Sequence, residues 1–444
     1  MTLIVEPERL RRILTLALPI IGGMVSQNVL NLVDTAMVGT LGDAALAAVG
    51  IGGFANFFAM ALLLGISVGV QATASRRKGE GRTSEVAIPL NEGLLIVLLV
   101  APVLSALLYF AVPAVYPYLN ADPEVARHGV PYLQVRVLAI MFVGMNFAFR
   151  GFWNAIDLSR LYMGTLVAMH SVNIFLNWVL IFGNLGAPAM GAAGAGMATS
   201  IAVMVGTAIY FGLGFKHARA MGFLHGLPGR GEVMRMIRLS LPASLQNLFF
   251  SAGFLTLYWI VGKVGTSELA AANVLINVML VALLPGMGLG LAAATLVGQA
   301  LGRGEPEDAE RWGWDVTRVA IVGLMLLGTP MWMIPDQVLG VFLHDPSTLA
   351  LARLPMQLVG LLMAVEAIGM VLMNALLGAG DTARVMRVSI GLQWLLFLPL
   401  AYLVGPTLGF GLLGIWILQG GYRGLMAATF FLIWRRGRWA EIKV

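Results

Sequence analysis

The sequence predicts an all-α integral membrane protein of twelve transmembrane helices, arranged as two pseudo-symmetric six-helix lobes. Three observations predict it. Of 444 residues, 59% are hydrophobic and only 11% are charged. Apolar runs long enough to cross a bilayer recur along the whole chain. The second half repeats the first at a nearly constant offset.

A soluble domain carries roughly 25% charged residues. A chain with so few charges and a mean hydropathy of +0.86 cannot cover a water-facing surface of its own size. At about 20 residues per span plus short loops, its length allows twelve helices. The expected spans are 12–36, 44–75, 91–115, 129–153, 161–183, 190–214, 236–261, 267–299, 316–340, 355–378, 386–404 and 410–434. The runs are unbroken, unlike the short alternating strands of an outer-membrane barrel. Cysteine is absent, which excludes disulfides and thiolate chemistry. No cleavable leader is expected before the first span.

The formal charge of +6 reads as topology rather than as nucleic-acid binding. Connections assigned to the inner side hold Arg76, Arg77, Lys78, Arg82, Arg160, Lys216, Arg219, Arg230, Arg303, Arg311, Arg318, Arg384 and Arg387, and the tail adds Arg435, Arg436 and Arg438. Those assigned outside hold Arg127, Lys263 and Arg353. Cytoplasmic loops are enriched in Lys and Arg, so both termini are expected in the cytoplasm. The polar stretch at 215–235 reads as a linker, placing the lobes at 1–222 and 223–444.

The repeat is legible without gaps. An offset of 223 carries LALP (16–19) onto LSLP (239–242), Val38-Gly39 onto Val261-Gly262, and Leu46-Ala47-Ala48 onto Leu269-Ala270-Ala271. It also carries Gly65 onto Gly288, and Gly79 and Gly81 onto Gly302 and Gly304. Six spans per repeat give both halves the same orientation. Transporters built this way bind substrate near the bilayer midplane.

Polar residues inside a span are costly and mark function. Gln27, Asn31 and Asp34 follow one another by four and three residues, so they share a helical face. Asn173 and Asn177 share another. Tyr132, Arg136, Asn146 and Arg150 fall in the fourth span, and His170 precedes the asparagine pair. Glu366 is read as the other deep carboxylate, either a second titrating site or the partner of a buried arginine. The repeat sharpens this picture. Asp34, Gln27 and Asn31 align with Leu257, Phe250 and Phe254, and the asparagines align near Phe397 and Ala401. Polar groups needed only for folding would be needed twice. A carboxylate among amides suits reversible protonation or cation coordination, so the first half is expected to hold the coupling chemistry. Asn173 and Asn177 also have a bland role open to them, interhelical hydrogen bonding. Arg136 and Arg150 are weighed mainly as structural. Pro19 removes a backbone donor inside the first span and favours a hinge. Pro242 repeats it. The 25 methionines and 21 phenylalanines are consistent with an adaptable cavity.

There is no Walker A or HExxH pattern, so ATP-driven transport is not expected. No cofactor is implied beyond H⁺ or Na⁺ as coupling ion.

The chain resembles the multidrug and toxic compound extrusion (MATE) family of the MOP flippase superfamily. The resemblance rests on LALPIIGGMVSQNVLNLVDTAMVGTLGDAALAAVG (16–50), GISVGVQATASRRKGEG (65–81), VGKVGTSELAAANV (261–274), MGAAGAGMATS (190–200) and NALLGAGDTAR (374–384). VDT at 33–35 with NIFLNWVLIFG (173–183) is similar to the DinF-like subgroup. The resemblance implies a V-shaped pair of lobes, alternating access, and export of cationic or amphipathic compounds against inward H⁺ or Na⁺ flow. It implies a coupling role for Asp34, Asn173 and Asn177, with Gln27, Asn31, Tyr132 and Asn146 lining the cavity. Some members have aspartate where this chain has Asn177, and that departure favours protons over sodium. FRGFWNAIDLSR (149–160) departs from the family's GxxDTR pattern, which 378–384 keeps. The expected partners are small organic compounds and the lipid bilayer, without nucleic acid, and the chain is expected to act as a monomer in the inner membrane. The rivals are a lipid-linked oligosaccharide flippase, a membrane-embedded glycan polymerase and a passive channel. Few basic cavity residues, short external connections and no filter-like segment argue against each in turn.

Overall fold

The computed structural model describes residues 5–442, and among them every regular element is helical. Ten helical segments are long and apolar enough to span a membrane, and a bent pair makes an eleventh span. The first spans are α1 (Pro7–Gly39), α2 (Asp43–Gly79) and α3 (Ile88–Leu119). The fourth is broken into α4 (Pro123–Leu138) and α5 (Ile140–Ala155), which meet at 50°. The break is not at a proline. At Ala139 the backbone N–H bonds to Arg136 three residues back, a tightened turn that redirects the axis. Next come α6 (Ser159–Phe182), α7 (Gly191–His217), α8 (Arg230–Val264) and α9 (Thr266–Gly302). They are followed by α10 (Pro306–Met333), the short α11 (Pro335–Gly340) and α12 (Pro346–Ala379). The penultimate span is irregular. It runs from α13 (Thr382–Ile390) through widened π-type turns to α14 (Leu398–Tyr402).

The twelfth expected span is α15 (Gly411–Arg435). Its 25 residues are long enough to cross at about 1.5 Å per residue. It falls below the other spans in hydropathy because Gln419, Gly420, Gly421, Tyr422 and Arg423 occupy its middle.

Local chemistry fixes the helix ends. Asp345 caps α12 by accepting from Thr348 N, with Pro346 at the first helical position. The same helix ends at Gly380, whose φ of 93° is a left-handed conformation that favours glycine. Lateral faces reverse the soluble pattern. On α3, Leu99, Leu107 and Phe110 are exposed while Leu90, Leu94 and Val97 are buried, as expected where lipid replaces water.

Two compact units emerge, and their limits differ from the expected division at 222/223. The first unit comprises 22–244, and the second comprises 1–21 with 245–444. The boundaries cut through the middle of α1 and α8 at positions related by the repeat offset. Packing contacts, rather than the polar connection at 215–235, set these limits. Within the first unit the N-terminal half of α8 packs so closely on α2 that a Cβ at Gly65 would lie 2.2 Å from the Ser240 carbonyl oxygen. Within the second, a Cβ at Gly288 would lie 2.4 Å from Ile21 of the N-terminal half of α1. The repeated glycine therefore marks the place where each unit receives a borrowed half-helix.

The first unit's core is aromatic around α5 and α7, where Phe149 stacks on Tyr210 at 5.3 Å and lies 5.9 Å from Phe223.

Candidate functional site

The site is built on three helices of the first unit. Gly23 brings α1 against α6, leaving no room for a Cβ beside Leu166 and Tyr162. That approach places the polar face of α1 against the asparagine face of α6. Asn177 Nδ2 donates to Asp34 Oδ1 at 2.5 Å. Asn173, turned so that its amide nitrogen faces the carboxylate, donates to the same oxygen at 3.0 Å, and Thr199 Oγ1 of α7 donates to its oxygen at 2.9 Å. That orientation satisfies Asp34 and Thr199 but sets the Asn173 nitrogen 2.9 Å from Asn177 Nδ2, and Asn177 Oδ1 has no hydrogen-bond partner. Asn173 and Asn177 are 1% and 0% exposed, so their amides are committed to this cluster.

A second group lies two turns toward the N-terminal end. His170 Nε2 and Gln27 Oε1 are 3.2 Å apart, and Gln27 Nε2 donates to Asn31 Oδ1 at 3.2 Å. Gln27 and Asn31 are otherwise exposed. Tyr132 of α4 is buried, its ring filling the space over Gly52 of α2 and lying against Gly196 of α7. Arg136, one turn on, packs its stem near Gly196. Its charge acts on both Asp34 and Tyr132, and its Nε has no hydrogen-bond partner.

Other expected members go elsewhere. Asn146 joins α5 to α7, accepting from Thr207 at 2.8 Å and donating to the Val203 carbonyl at 3.3 Å. Arg150 donates to Ser67 Oγ at 3.1 Å and lies over the Phe147 ring. Glu366 belongs to the second unit, where Arg423 stands 3.2 Å away. Of its two expected roles, the structure displays the ion pair. Pro19 lies in the part of α1 that belongs to the second unit, and α1 remains helical through it.

The second unit fills the equivalent places with apolar groups. Phe250 and Phe254 meet edge to face at 4.9 Å, Leu257 is buried, and Phe397 stacks on Tyr422 at 4.8 Å. Sequence reasoning missed Thr199 and Arg423. Thr199 lies in MGAAGAGMATS (190–200), a segment that carries the family resemblance and no site expectation. Arg423 sat in a span whose interruption by polar residues was the available signal. Among the described residues, no three of His, Cys, Asp and Glu converge on a metal-sized space.

The MatE family model matches residues 19–179 and 242–403, two segments that begin 223 and end 224 residues apart. The chain belongs to the MatE family. Similarity extends to whole MATE relatives. A probable multidrug resistance protein NorM of Thermotoga maritima is 26% identical over 443 residues, covering 98% of this chain and 94% of that one. The probable NorM of Pseudomonas aeruginosa is 27% identical, with 97% and 90% covered. An outward-facing multidrug resistance MATE transporter of the MOP superfamily superposes with a TM-score of 0.89 at 21% identity, covering 97% of this chain and 96% of that one. A MOP superfamily transporter from Pyrococcus furiosus gives 0.86 at 20% identity, with the same coverage. These likenesses show the MATE fold, and the family assignment makes the chain a multi-pass membrane transporter rather than an enzyme.

Proposed function

We propose that this transporter is a cation-coupled antiporter that exports cationic or amphipathic organic compounds, with protons as the coupling ion and Asp34 as the residue that carries them. One observation carries the reading. Asp34 is held by Asn177, with Asn173 beside it, inside the first unit, whereas the repeat-related positions hold Leu257, Phe397 and Ala401. The names of the NorM relatives support organic efflux. An amide donates to an ionised carboxylate and, turned over, accepts from a protonated one. Asn177 therefore serves both states of Asp34. Protonation from outside relaxes these contacts, reshapes α1 around its proline and releases substrate.

A sodium ion fits less well. Asp34 is the cluster's sole carboxylate, and Arg136 already acts on its charge. Gln27, Asn31, Tyr132 and the outlying Asn146 line the substrate route in this reading, with His170 as accessory. We place the chain in the DinF-like branch on VDT (33–35) and the paired asparagines. We place it as a monomer in the cytoplasmic membrane with both termini inside, on its arginine distribution.

The test is transport in proteoliposomes with pH and sodium gradients imposed one at a time. The pH gradient is expected to drive efflux of an organic cation, and Asp34→Asn to abolish it in a folded protein. Full transport by that variant would sink the reading. Drive by sodium alone would replace the coupling ion.

A further inference from the structure

The two units anchor their borrowed half-helices in unlike ways. In the second unit, Arg9 Nη1 reaches Asp308 at 2.7 Å and its Nε reaches Asp315 at 2.6 Å. The guanidinium lies 3.6 Å from the centre of the Trp312 ring. Arg12 adds a bond to Gln299 at 2.7 Å. These are short, charge-assisted contacts on an aromatic face, the strongest kind a side chain makes.

The repeat offset carries Arg9 onto Glu232 and Asp315 onto Glu92. A position-for-position copy in the first unit sets acid against acid. Arg77, whose own counterpart is Ala300, enters from α2 to separate them. Its Nη2 is 3.6 Å from Glu92 and 3.7 Å from Glu232, both beyond hydrogen-bonding distance. Its Nη1 donates instead to the Glu85 carbonyl at 3.1 Å. Glu92 is 2% exposed, and one of its oxygens has no hydrogen bond. Arg235 is the further cation acting on it. A buried carboxylate held by charge at a distance recovers little of its desolvation cost.

We propose that Arg77, Glu92 and Glu232 form the releasable anchor of the transport cycle, with Arg77 as its positioning residue, while Arg9, Asp308 and Asp315 form the permanent one. A cycle needs an element with two arrangements of similar free energy. The long contacts of Arg77 provide that, and the short contacts of Arg9 do not. Release frees 230–244 from the first unit, while 7–21 stays fixed on the second. The functional arm of this proposal rests on the efflux reading, and the structural arm does not.

Glu232→Arg combined with Arg77→Ala copies the second unit's pattern onto the first. The full chain in proteoliposomes is assayed for ethidium efflux and for hydrogen exchange of the two half-helices. In the wild type, 230–244 exchanges faster than 7–21. In the double variant, exchange of 230–244 slows toward that of 7–21, and maximal efflux falls at least roughly fivefold with ethidium affinity unchanged. Arg77→Ala alone speeds exchange of 230–244 and leaves 7–21 unaltered. Equal exchange of the two segments in the wild type overturns the proposal. So does slowed exchange in the double variant with undiminished efflux. Absence of wild-type efflux under every gradient would count against the efflux reading alone, and the exchange data would still decide between the anchors.

Discussion

Arg423 of α15 stands 3.2 Å from Glu366 of α12, and their side chains are only 13% and 9% exposed. The pair lines a small cavity with Met279, Trp416 and Gln419. Removing one partner strands a charge, which costs about 3–5 kcal/mol, whereas replacing both by apolar groups of similar volume is close to neutral. Glu366→Met and Arg423→Met are each expected to lower the unfolding temperature markedly in detergent. The double variant is expected to recover most of the loss. Additive losses would show that the two do not act as a pair.

The repeated glycines make a steric prediction. Gly65→Ala and Gly288→Ala each push a methyl into the borrowed half-helix, and overpacking of this kind costs about 1–3 kcal/mol. At Gly212 of α7 a Cβ would meet nothing within 4 Å. Gly212→Ala is expected to be neutral or stabilising by up to about 1 kcal/mol. Thermal unfolding of the three variants side by side checks this, and equal effects at 65 and 212 would refute the packing account.

Much of the fold is legible because a bilayer demands long apolar helices, and each expected span overlaps an observed helical segment. What hides from sequence is what continuous helices do not advertise. The unit boundaries at 21/22 and 244/245 fall inside the continuous helices α1 and α8. The bend at Ala139 depends on one backbone turn in an unremarkable residue. The polar cluster was visible because helical spacing and the unequal repeats both single out Asp34, Asn173 and Asn177. The anchors were not. Arg77 reads as a topology charge, and Glu92 lies at the edge of an expected span, where nothing in the sequence marks its 2% exposure.

The two ends of α12 titrate in opposite senses. Hydrogen bonds from Ser347 and Thr348 hold the Asp345 carboxyl down to about 2. Burial pushes the Asp381 carboxyl up from its ordinary 3.8, against the pull of Arg384 and Arg387. Asp345 therefore stabilises the folded state above its unfolded value near 3.8, and this is lost as pH falls toward 2. Asp381 binds its proton more tightly when folded. It costs stability above its raised value, and the cost disappears as pH falls through that value toward 3.8. Asp345→Ala is expected to lower the unfolding temperature at pH 7, with the difference closing in acid. Asp381→Asn is expected to raise it at pH 7, with the gain shrinking on acidification. Unfolding curves between about pH 2 and pH 8, in steps of about half a unit, check both signs.

Asn177 offers the sharpest test of the coupling ion. It is fully buried, and it donates to Asp34 at 2.5 Å. Asn177→Asp replaces that donor by an acceptor and sets two carboxylates side by side. Two adjacent carboxylates cannot both ionise without a cation between them. The variant is expected to bind sodium, and a sodium gradient should then drive efflux. Asn177→Ala removes the donor without adding charge and should weaken pH-driven efflux roughly tenfold or more, since a hydrogen bond to a charged group contributes about 1.5–3 kcal/mol. Sodium-insensitive efflux by Asn177→Asp at the wild-type rate would mean that the amide does not act on Asp34 during transport. Loss of pH drive together with a new sodium dependence would tie the choice of ion to this one side chain.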